Sequence, residues 1–214
     1  MASTAVATRP AAPPPAAKAG AGTRTLPAVA PQVQKWGPIT MATAVVVAAE
    51  TLLFATLTAA WLMSRSAAGT GWIPKDTDID LYRGSTIALT MLLTALMSQW
   101  AVSAARRDDG ANTIVATAFA TLLGAAATVL AWFTMVSVHF GVGSSLYTML
   151  WYALLGTFVA VAALTVAAQA VTIAWGLAGH YSDTDHQPMT AVAVQWWLLT
   201  LVFAVYWLAI WVLQ

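Results

Sequence analysis

The chain has 214 residues, of which 60% are apolar and 8% charged, with a net charge of +1 and no cysteine. A charged share so far below the ~25% of soluble domains excludes an ordinary soluble fold, and no Lys/Arg cluster points to nucleic acid. Without cysteine, disulfides, iron–sulfur clusters, thiolate copper and a thiolate nucleophile are excluded as well.

Residues 1–35 differ in kind from the rest: they are rich in Ala, Pro and Thr, free of acidic residues, and carry Arg9, Lys18 and Arg24. They lack the continuous apolar stretch of a secretory leader and read as a disordered tail, with an organellar transit peptide as the alternative. Lys35 with Trp36 resembles an interfacial anchor at the start of the first apolar run.

Residues 36–214 form the second unit, an all-α membrane domain. Five runs reach the ~20 apolar residues that a helix needs to cross a bilayer, giving a predicted bundle of five transmembrane helices. The predicted spans are 38–63, 84–105, 112–138, 147–175 and 190–213. Pro38 suits a first helical turn, where its missing N–H is no loss. The loop 64–83 contains Gly69, Gly71 and Pro74. Residues 106–110 make a tight charged turn, and 139–146 is a short Gly/Ser connection. The last loop, 176–189, carries His180, Asp183, Asp185 and His186.

Five crossings place the termini on opposite sides of the membrane. With the N-terminus inside, the inner segments hold Arg9, Lys18, Arg24, Lys35, Arg106 and Arg107, against Arg65, Lys75 and Arg83 outside. The positive-inside rule therefore predicts a cytoplasmic N-terminus and an external C-terminus.

Two helices carry stripes of small residues at spacings of three and four, the pattern that lets helix backbones approach closely in lipid. The third has Ala116, Ala120, Gly124, Ala127 and Ala131. The fourth has Gly156, Ala160, Ala163, Ala167, Ala170 and Ala174. Both predict tight bundle packing. The last helix is broad and aromatic, with Trp196, Trp197, Tyr206, Trp207 and Trp211; filling gaps against a partner subunit and facing lipid are both open to it.

Glu50 is the only Asp, Glu, Lys, Arg or His inside these apolar runs. A carboxyl at bilayer depth is costly to insert, so such residues are rare and by default functional. The alternative is a structural carboxyl hydrogen-bonded to a neighbouring helix. The candidate polar packing residues are Thr94, Ser98 and Gln99 on the second helix, Gln169 on the fourth and Gln195 on the fifth. Thr90, Thr94 and Ser98 share one face. A buried haem needs axial ligands at depth, whereas His139, His180 and His186 fall at helix ends and loops, so no haem is expected in this chain. The segment 180–186 has the residue types of a metal site without the spacing of a known motif, and no metal is assigned. No phosphate loop, catalytic triad or other active site is visible.

The order of these features resembles subunit III of the haem–copper (cytochrome c) oxidases. Residues 45–63, VVVAAETLLFATLTAAWLM, are similar to the family's Ser-Glu-x-x-x-Phe-type helix, with Glu50 at the glutamate and Phe54 at the phenylalanine. Residues 85–110 resemble its polar helix, with Gln99, Trp100 and Ala101 ahead of a charged turn. Residues 180–213 resemble its acid/His loop and terminal aromatic helix. The family's two histidines on the penultimate helix are replaced by Phe158 and Val161, aligning on Gly156, and a His and an Asp of the final helix by Trp197 and Thr200. The resemblance implies a divergent, five-helix, non-redox accessory subunit of the bacterial inner membrane. Its expected partners are oxidase subunits I and II and membrane phospholipids, with haem and copper held by those partners and no cofactor in this chain. The implied role is support of assembly, stability and proton uptake during oxygen reduction. A subunit III-like accessory protein of nitric oxide reductase and a stand-alone structural or transport protein remain open alternatives.

Overall fold

A computed structural model describes residues 37–74, 80–138, 140–178 and 187–213. These residues are helical throughout apart from short connections, and all five helices are long and apolar enough to cross a membrane. They are α1 (Pro38–Ala68), α2 (Leu81–Ala105), α3 (Gly110–Val136), α4 (Leu146–Leu177) and α5 (Gln187–Tyr206). A π-helical turn, Trp207–Val212, continues α5, and a 3₁₀ turn, Gly69–Gly71, follows α1.

Local chemistry explains where each helix begins and ends. Pro38 occupies the first turn of α1, as its fixed φ predicts. Helix α1 runs past the predicted Met63 because residues 64–68 are helix-compatible, and it stops at Gly69, whose φ of +57° glycine adopts freely. Helix α2 starts earlier than predicted because the Asp80 carboxylate accepts the Tyr82 N–H (2.9 Å). Asp109 caps α3 in the same way, accepting the Asn112 N–H (3.1 Å). Helix α4 begins with a reciprocal capping box between Ser145 and Thr148. Between α2 and α3, the chain reverses within residues 106–109, with Asp108 in the left-handed region (φ 55°) that Asp tolerates better than most residues.

Helix α5 sits at the centre of the packing. It meets α1, α2 and α4, while α2 packs along α3 and α3 along α4. Half of its most apolar window is buried, against 11% for α1, of which only Phe54 and Trp61 are buried. The aromatic side chains of the last helix therefore turn inward: Trp196, Phe203, Tyr206 and Trp211 are buried, and Trp197 and Trp207 are half-buried against the same core. Glycines make the room. A Cβ on Gly124 of α3 would lie 2.5 Å from the Trp196 ring, and one on Gly84 of α2 would lie 2.7 Å from the Trp211 ring.

The two small-residue stripes part company. Ala116, Ala120, Gly124, Ala127 and Ala131 on α3 are all buried, as predicted. On α4 the prediction of packing within the bundle is wrong: Ala160, Ala163, Ala167, Ala170 and Ala174 are exposed and Gly156 is half-buried. The buried face of α4 is the opposite one, with Trp151, Leu155, Phe158, Ala162, Thr165, Gln169 and Thr172. Both faces of α4 are apolar, so hydrophobicity alone gives no preference between them, and the larger side chains win the interior because they bury more surface.

Candidate functional site: a lone carboxyl and its amide partner

Glu50 lies twelve residues into α1, which is roughly 18 Å along the axis at ~1.5 Å per residue. Its side chain is half-buried, on the side of α1 that meets α5. There the Gln195 amide Nε2 donates to Glu50 Oε2. This pairing joins residues 145 apart in the chain, so neither partner announces the other in the sequence. The other charged side chains among the described residues, Arg65, Asp80, Arg83, Arg106, Arg107, Asp108 and Asp109, lie at helix ends and connections. Glu50 thus has a neutral donor and no counter-charge within the described residues.

Along the same α1–α5 contact, Thr40, Thr43, Val47, Gln187, Thr190 and Val194 line a largely apolar groove of about 370 Å³. Val47 precedes Glu50 by one helical turn, and Val194 directly precedes Gln195, so the groove ends beside the pair.

Gln195 and Trp196 are consecutive, about 100° apart around α5, and they bind different neighbours. The Trp196 indole Nε1 donates to Gln169 Oε1 on α4 at 2.5 Å. Because indole is a donor only, this bond fixes which way the Gln169 amide is turned. Trp207 Nε1 donates to Ser85 Oγ on α2 at 3.1 Å, and the Thr200 hydroxyl is shared between the Trp196 carbonyl of its own helix (2.8 Å) and the Met91 carbonyl on α2 (3.0 Å). Trp61 Nε1 donates to the Ala209 carbonyl at 3.3 Å. The last helix with its π-helical end therefore holds α1, α2 and α4 by polar bonds within an apolar core.

The other candidates fare differently. Thr94 is buried, and its hydroxyl bonds to the Thr90 carbonyl of its own helix (2.8 Å), not across the bundle. Ser98 is buried without a hydrogen-bond partner. Gln99 is exposed on the outer side of α2, so its expected packing inside the bundle is not met. Phe158 is fully buried and packs on Phe203 with ring centroids 5.0 Å apart, so this position is filled by hydrocarbon. His139, His180, Asp183, Asp185, His186 and the 1–35 tail lie outside the described residues. Among the described residues, no group of three or more His, Cys, Asp or Glu side chains is placed to hold a metal.

Thr200, Trp196 and Trp61 were not among the predicted site residues. The available signal was that a tryptophan deep in an apolar run carries an N–H that usually takes an acceptor, although Trp72, Trp151 and Trp211 are buried without one. Its location could not be read from the chain. The sequence matches no protein-family model and no curated protein.

Proposed function

We propose that this chain is a non-redox accessory subunit of a membrane oxidoreductase complex, of the subunit III type found with haem–copper terminal oxidases. It would lie in a bacterial inner membrane with its N-terminus cytoplasmic and its C-terminus external. Subunit I would be its main contact and subunit II a second. The resemblance around Glu50 and Phe54 motivates the family, and the charge asymmetry motivates the orientation.

One observation carries the reading: Glu50 is a lone carboxyl bound by a neutral amide on the least buried helix. A single titratable group cannot form a transmembrane proton relay. Among the described residues no second deep carboxylate or base stands near Glu50, so proton chemistry there would draw on groups that a partner chain supplies. The uncovered alanine face of α4 adds a second surface on which a partner helix can approach closely. Glu50 then tunes subunit contact or proton delivery, without being an obligatory carrier.

The test is purification of the tagged full chain from its native membrane in mild detergent, with identification of the chains and haems that accompany it. Oxidase subunits I and II should co-purify. Nitric oxide reductase subunits would move the assignment to that complex, and recovery of the chain alone would favour a stand-alone protein. In an oxidase complex, Glu50→Gln should assemble and lose at most part of its sustained turnover. Complete loss of oxygen reduction in the assembled variant would make Glu50 a required proton carrier.

A further inference from the structure

We propose that the small cavity between α2, α3, α4 and α5 is a binding site for one ordered water molecule. That water bridges Ser98 and Gln169. The inference rests on this chain's own packing and is independent of the complex to which the chain belongs.

Ser98 is the first observation. On α2 the hydroxyls of Ser85, Thr86, Thr90, Thr94 and Ser103 each donate to the carbonyl four residues earlier, at 2.8–3.0 Å. This is the usual way a hydroxyl is satisfied in an apolar helix. Ser98 departs from it: its Oγ is buried, with no hydrogen-bond partner, and the residue is 3% exposed. A hydroxyl that is both buried and unbonded is costly unless something polar reaches it.

The cavity beside it is the second observation. Ser98 and Ala101 of α2, Thr117 of α3, Gln169 of α4, and Met189 and Ala193 of α5 line a space of about 10 Å³. A water needs roughly 10–15 Å³ of such space and two to four polar partners. The volume admits a single water and excludes any organic ligand.

The partners form the third. Gln169 commits its carbonyl oxygen to Trp196, so its amide nitrogen remains as a donor toward the cavity wall it helps form. Thr117 donates to the Thr113 carbonyl at 2.7 Å, which leaves its oxygen free to accept. A water that accepts from Gln169 Nε2 and from the Ser98 hydroxyl and donates to Thr117 Oγ1 satisfies all three. It also ties α2 to α4, which pack chiefly against α3 and α5 and not against each other.

Solid-state NMR of the isotope-labelled full chain in lipid bilayers tests this through magnetisation transfer from water protons. Transfer should reach the Gln169 side-chain amide as it reaches the exposed Asn112 amide. Ser98→Val fills the space and should abolish transfer at Gln169 while leaving the Trp196 indole resonance in place. Should that variant misfold, Ser98→Ala decides the matter, with transfer at Gln169 falling at least twofold. No transfer to Gln169 in the parent chain, or transfer unchanged in either folded variant, overturns the proposal.

Discussion

Helices α3 and α4 carry the same stripe of small residues and put it to opposite uses. On α3 the stripe is a socket: Ala120, Gly124 and Ala127 are buried, and the Trp196 ring of α5 occupies the gap at Gly124. On α4 the stripe faces out, while Trp151, Phe158 and Gln169 on the other side meet the bundle. Small-residue spacing states that a backbone can be approached closely. It does not state from which side, or by what.

The largest test of that contrast places a branched side chain on each stripe. Gly124→Val must displace a tryptophan already tethered to Gln169, and overpacking of this kind should cost about 3 kcal/mol. The same size of change at Ala167 should alter the chain's own stability by no more than about 0.5 kcal/mol. Unfolding in mixed detergent–SDS micelles measures both, and equal losses would erase the distinction between the faces.

Enlarging the outer stripe should act on association instead. With Ala163→Leu and Ala167→Leu combined, the chain should stay folded while recovery of a partner subunit drops roughly tenfold, or ~1.4 kcal/mol. Undiminished recovery would remove α4 as a partner surface and leave its stripe facing lipid.

A smaller effect is expected from the inner face of α4. Gln169→Leu strands the Trp196 indole N–H in the core. Interhelical hydrogen bonds in membranes average ~0.6 kcal/mol with a ceiling near ~1.7, so the loss should lie near ~1 kcal/mol. The same micelle titration reads it, and a gain in stability would show that Trp196 is held by packing alone.

The smallest prediction concerns the caps of these two helices. Asp109, at the exposed start of α3, has its pKa held below the usual carboxylate value, first by the Asn112 side-chain amide, then by the Asn112 N–H and the nearby Arg107. Its contribution is therefore present above the ordinary carboxylate pKa and is lost as pH falls through the lowered one. Helix α4 is capped by the Ser145 hydroxyl, which does not titrate in this range. Acidification should deprotect the Asn112 amide before the Thr148 amide, measured by hydrogen exchange corrected for intrinsic rates. Simultaneous loss would mean global opening and no cap-specific titration.

Much of the chain was legible because it follows from composition and local geometry. Five apolar runs dictated five long helices and Pro38 marked the start of α1, while the end of α1 at Gly69 and the caps at Asp80, Asp109 and Ser145 came from the structure. Glu50 stood out as a lone carboxyl for the same reason: an isolated charge in an apolar run needs no tertiary information to be noticed.

The tertiary structure decided what each of these features meets. Gln195 as the partner of Glu50, Gln169 as the acceptor for Trp196, and the exposure of Gln99 depend on rotations of helices about their own axes. A helix that is apolar all round gives no hydrophobic stripe to set that rotation. The interior placement of the aromatic α5 has the same origin: Gly124 and Gly84 offer space only where the fold brings Trp196 and Trp211 against them. Sequence determined the helices and the lone carboxyl within them. The fit of large side chains into small-residue gaps on other helices determined which faces turn inward.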